Sequence, residues 1–182
     1  GYSHPGLNTT PGAVQDTNPF RYPIGMVAKF AFPRSAVTVS AANYSGSPLA
    51  SEAIVSAFGD GLATTTQSAT SLPLPTTLGG TTIKVRDSAG TERNAALFFA
   101  SPTQMNFQIP PGTANGNATI TIMAQDGSMF ISNVEITNIS PSIFSADATG
   151  RGIAAAHAQR AGSLTFEQVV KFDFTKGQWV AL

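Results

Sequence analysis

His4 and His157 are the two histidines of the chain, and they limit the acid–base chemistry it can perform near neutral pH. A hydrolytic triad needs a nucleophile, a base in hydrogen-bond contact with it and an acid that orients the base. His4 lies in a proline-rich opening segment and His157 in an alanine-rich one, and no Gly-x-Ser-x-Gly elbow accompanies either. Two histidines so placed also lack the third ligand of a metal site. The 10 carboxylates offer no pair at i, i+2 on one strand face, so glycosidase chemistry would depend on folding to bring two together. Asp60, in Phe58-Gly59-Asp60-Gly61-Leu62, is a lone carboxylate among glycines, and its expected role is to stabilise its own turn rather than to bind calcium. The glycines of Leu78-Gly79-Gly80-Thr81-Thr82 lack the lysine of a phosphate loop. On these grounds no catalytic residue, cofactor site or metal site is assigned.

Three other groups of residues could work by contact. Gln104, Asn106 and Gln108 alternate with Met105, Phe107 and Ile109, which places the amides on one strand face and the apolar residues on the other. Because an amide both donates and accepts, the row is expected to tie a loop, such as residues 72–80, to the sheet rather than to bind a ligand. Asn8, Asn43, Asn117 and Asn138 each open an Asn-x-Ser/Thr triplet, the acceptor pattern for N-glycosylation. The aromatic residues Phe20, Tyr22, Tyr44, Phe166, Phe172, Phe174 and Trp179 could stack on sugar rings if exposed and coplanar. Phe166, Phe172 and Phe174 share strand parity, which points instead to a sandwich core.

Composition narrows the classes further. Only 11% of the 182 residues are charged and the formal net charge is zero, so the chain lacks the positive field that captures phosphates. Ser, Thr, Asn and Gln must supply the polar exterior, a surface common among extracellular β proteins. Cysteine is absent, which excludes disulfides, thiolate metal sites and a cysteine nucleophile. No apolar run reaches the roughly 18 residues of a membrane helix. The chain starts at Gly1 with no signal-peptide core behind it, and reads as a processed segment of something longer.

The elements that would position these residues are short strands between turn formers. Residues 1–23 carry prolines without apolar periodicity and read as an extended arm. Strands are expected at 24–32, 36–44, 52–58, 81–87, 94–100, 103–109, 117–125 and 129–139, with Asp126-Gly127 as the clearest hairpin turn. Residues 152–162 hold the best helical candidate, and residues 164–182 read as a terminal hairpin around Lys176-Gly177. Strands spaced this closely between Gly/Pro turns indicate an all-β sandwich.

At "FGDGLA" (58–63), "PLPTTLGG" (73–80), "SPTQMNFQIPPGT" (101–113) and "PSIFSADATGRGIAAA" (141–156), in this order, the chain resembles the Solibacter-type C-terminal domain that recurs at the ends of secreted acidobacterial proteins. The resemblance runs from about Val37 to Leu182. It implies an immunoglobulin-like β-sandwich, similar to domains of cell-surface receptors and polysaccharide-active enzymes, and carries no catalytic residue. In that family a segment like 172–182 continues into a further β unit, so the resemblance also implies that the second unit is incomplete here. The expected organisation is an arm and leading strand (1–36), an immunoglobulin-like sandwich (37–142) and a partial second β unit (143–182). The expected function is a non-enzymatic extracellular or cell-surface structural module, such as a filament or surface-layer subunit joined by strand exchange between chains. Its partner would be itself or another cell-surface protein, through Phe20 and Tyr22 of the arm and Phe166, Phe172, Phe174 and Trp179 of the hairpin. The alternative is a carbohydrate-binding accessory module whose partner is a polysaccharide.

Overall fold

The computed structural model describes residues 32–182, and the arm expected at 1–23 and all but Phe32 of the strand expected at 24–32 lie outside them. Residues 33–182 form one compact unit. In chain order its strands are β1 (Arg34–Ser35), β2 (Val37–Ser40), β3 (Leu49–Ala50), β4 (Ile54–Phe58), β5 (Gln67–Ser68), β6 (Thr77–Leu78), β7 (Thr81–Arg86), β8 (Glu92–Asn94), β9 (Ala96–Ala100), β10 (Gln104–Gln108), β11 (Gly116–Met123), β12 (Met129–Thr137), β13 (His157–Ala158), β14 (Glu167–Gln168), β15 (Val170–Asp173) and β16 (Gln178–Ala181). There is no helix among the described residues.

Two larger sheets make the sandwich. One runs β1-β12-β11-β7-β6, with β3 also on β12 and β8 also on β7. The other runs β2-β4-β10-β9-β5. Period-2 patterning dictates which face of each is buried. Ile83 and Val85 of β7, Ala118, Ile120 and Ile122 of β11, and Phe130, Val134 and Ile136 of β12 turn inward from the first sheet. Val55 and Ala57 of β4, Leu97 and Ala100 of β9, and Met105 and Phe107 of β10 turn inward from the second. These side chains form a single apolar cluster. Burying each of the larger ones contributes about 1.5–3 kcal/mol, the main drive toward this arrangement.

The leading segment crosses between the sheets. Arg34 and Ser35 run parallel to β12, Ala36 donates to the Ile131 carbonyl at 3.0 Å, and Val37–Ser40 then run antiparallel to β4. One segment therefore covers an edge of both sheets, which removes exposed pairing groups there. At the opposite end of β12, Leu49 and Ala50 extend the same edge. The β11–β12 hairpin turns at Asp126-Gly127 as expected: Gly127 adopts φ 82° and the Asp126 carboxylate accepts from the Ser128 N–H at 2.8 Å.

Residues 143–182 depart from two expectations. The alanine-rich stretch is not a helix; His157–Ala158 pair antiparallel with Glu167–Gln168, and Ala154 bridges to Ser145. Interspersed glycines and the β-branched run that follows outweigh alanine's helix propensity. The β15–β16 hairpin forms as expected, but Phe166, Phe172 and Phe174 are not core residues. They are 69%, 38% and 90% exposed, because no sheet among the described residues packs over that face. Shared parity puts residues on one face; only a covering layer makes that face a core.

Candidate functional site

The amide row on β10 is built by the strand alternation that buries Met105 and Phe107. Gln104 Nε2 donates to Asn106 Oδ1 at 2.8 Å, and the Ser56 hydroxyl on β4 donates to the same oxygen at 3.0 Å. Gln108 Nε2 donates to the Glu52 carbonyl at 3.1 Å. The row thus laces β10 to β4 and fixes the turn before β4. It does not hold residues 72–80. That loop is held by Gln67, whose Oε1 accepts from the Gly79 N–H at 2.9 Å, and by the Leu97 N–H donating to the Pro75 carbonyl at 2.8 Å.

Among the described residues the carboxylates of Asp87, Glu92, Asp126, Asp147, Glu167 and Asp173 are engaged in local structure. The most enclosed is Asp87, whose side chain is 1% exposed and pairs with Arg93 Nη1 at 2.7 Å. Its oxygens also accept from the N–H groups of Ala89, Thr91 and Ala114, the last from 27 residues away. The Arg93 guanidinium, with the Ala114 and Thr91 donors, holds the Asp87 carboxyl below the usual carboxylate range despite its burial. Asp126 is lowered by the Ser128 N–H and hydroxyl, and Asp147 by the Thr149 hydroxyl and N–H. These are turn-locking carboxylates that stay ionised. Asp60 was expected to lock its turn in the same way, but that turn is held by main-chain groups: Gly61 and Leu62 N–H donate to the Pro102 carbonyl, and Arg34 Nη1 reaches the Asp60 carbonyl at 3.5 Å.

His157 is exposed on β13 opposite Gln168, and His4 lies outside the described residues. Among the described residues no three His, Asp or Glu side chains gather as a metal site. Of the glycosylation triplets, Asn8 lies outside the described residues. Asn43 Oδ1 accepts from both the N–H and the hydroxyl of Ser45, at 3.0 and 2.8 Å. Asn117 is exposed on β11, and Thr119 of its triplet donates to Asn133. Asn138 accepts from Asn115, while Ser140 donates to the Pro48 carbonyl.

Among the described residues, the aromatic face of the β15–β16 hairpin is a cluster of side chains outside the apolar core of the sandwich. Phe172 and Trp179 are direct cross-strand partners, their ring centroids 5.8 Å apart at 76°. Phe174 packs edge-on against Phe172 at 5.1 Å and 77°. Trp179 is 36% exposed and Phe174 almost fully so. A cavity of about 360 Å³ opens between this face and the loop carrying Asp147, Gly152 and Ile153, with Gln178 at its edge. Phe20 and Tyr22, the other expected contacts, lie outside the described residues, and Phe166 stands apart on the segment before β14.

Sequence reasoning missed what anchors the loop beneath this face. The Tyr44 hydroxyl donates to the Ala148 carbonyl at 3.1 Å across 104 residues. Gly150, at φ 76°, sits so close that a Cβ there would lie 2.8 Å from the Asn43 backbone. The glycine was a visible signal; its partner was not. Among the described residues no helix is long and apolar enough to cross a membrane. The chain matches no model of a known protein family, and no curated protein matches it.

Proposed function

We propose that this chain is a non-enzymatic extracellular module, an immunoglobulin-like sandwich whose work is assembly or attachment through contact between chains. The immunoglobulin-like reading is supported by strand order: β2-β4-β10-β9 in one sheet and β12-β11-β7 in the other follow the A-B-E-D and G-F-C arrangement of that fold. The resemblance to the Solibacter-type domain and the sparsely charged, hydroxyl-rich composition support an extracellular or cell-surface setting. The observation that carries the assembly reading is the β15–β16 hairpin. A two-stranded sheet is marginal in water by itself, and this one exposes aromatic side chains that a contact would bury.

The combined variant Phe172→Ser with Trp179→Ser tests this reading by light scattering and thermal unfolding. Loss of self-association with the sandwich transition retained is expected; self-association equal to that of the parent chain would sink it. A second reading, a carbohydrate-binding module, is favoured by the cavity bearing Phe172 and Trp179 beside Asp147 and Gln178. Against it, Phe172 stands nearly perpendicular to both Phe174 and Trp179, so the three rings do not form one flat platform for a sugar chain. Retention of the parent chain, but not of the double variant, on an insoluble polysaccharide would decide for that reading.

A further inference from the structure

The open edge of β15 is complementary to itself. The Val169 carbonyl accepts from the Leu182 N–H at 2.9 Å, and the register then pairs Val170 with Ala181 through Asp173 with Gln178. Antiparallel ladders alternate hydrogen-bonded and non-hydrogen-bonded pairs, so Lys171 and Asp173 spend their main-chain groups on β16. The N–H and C=O of Phe172 then point the other way, toward an edge that no strand pairs with among the described residues.

We propose that this edge pairs antiparallel with the same edge of a second copy, about a two-fold axis at Phe172. This rests on the assembly reading above and names its partner and register. In that alignment Phe172 exchanges both main-chain hydrogen bonds with its counterpart, and Lys171 of each copy stands opposite Asp173 of the other. The two opposite-charge pairs lie on one face and the phenylalanine pair on the other. Lys171 is exposed and forms no ion pair among the described residues. Asp173 Oδ1 is used by the N–H groups of Thr175 and Lys176, whereas Oδ2 has only the Lys176 ammonium at 3.8 Å. A parallel alignment would set Lys171 near Lys171, and the edge of β16 carries no charge to fix a register. The product is a four-stranded sheet closed by symmetry, the commonest form of homo-oligomer contact.

The test uses single cysteines, because the full chain has none of its own. Under mild oxidation Phe172→Cys is expected to form a disulfide-linked dimer about tenfold faster than Trp179→Cys, since only the former meets its own copy at bonding distance. Lys171→Glu, which sets like charges opposite each other, is expected to weaken self-association about tenfold without altering the unfolding of the sandwich. Equal or faster linkage through Trp179→Cys in a chain that still associates would overturn this register and leave the assembly reading standing. A chain that stays monomeric and links at neither position would overturn both, and Lys171 would then be the charge that keeps a bare edge apart.

Discussion

Phe107→Ala is expected to lower the unfolding free energy by about 3–5 kcal/mol, measured by denaturant titration. Phe107 is fully buried in β10, flanked by β4 and β9, and its ring lies in the apolar cluster shared by both sheets. Truncation removes the ring from that cluster and leaves a cavity that the surrounding strands only partly close. Asn106→Ala, one position along and on the other face, removes an acceptor for Ser56 and Gln104 and should cost only about 1 kcal/mol. The contrast between neighbours tests the assignment of faces. Equal losses at the two positions would mean that the strand is not seated as described.

Asp87→Asn is expected to destabilise the chain more than any other single carboxylate substitution, and to flatten its acid dependence. The carboxylate is enclosed and answers the Arg93 guanidinium together with three N–H groups. An amide offers one oxygen where the site needs two, and leaves Arg93 without its counter-charge. In the unfolded chain Asp87 titrates near pH ~4, whereas folding holds it lower. A group with a depressed folded value contributes stability that is fully present above the unfolded value. That contribution is lost as pH falls through the folded one. The parent chain should therefore lose stability as pH drops below about 4, and the variant, already weakened at pH 7, should lose less over the same interval. Parallel curves for the two proteins would show that Asp87 is not the titrating group. Asp126 and Asp147 are also held low by their own turns, which is why the variant keeps part of the slope.

Local pattern was enough to place β7, β10, β11 and β12, because one buried face imposes a period of two and a slipped register would expose it. The Asp126-Gly127 turn was legible for the same reason: only a few residue types satisfy its backbone. Long-range partners were not legible. Nothing near Gln67 marks it, rather than Gln104, as the amide that holds residues 72–80. Nothing near Asp87 signals Ala114, and nothing near Tyr44 signals Ala148. The terminal aromatics show the limit most clearly. Alternation grouped Phe166, Phe172 and Phe174; Phe172 and Phe174 do pack together while Phe166 stands apart, and coverage of their face depends on a layer that no local pattern encodes. The same exposure that removes them from the core is the observation on which the proposed assembly contact rests.

Sedimentation velocity of the unaltered chain, followed from low micromolar to several hundred micromolar, tests the assembly account most directly. The account predicts a weight-average mass that rises with concentration above that of the 18.8 kDa chain. A single species of monomer mass across the whole range would contradict it.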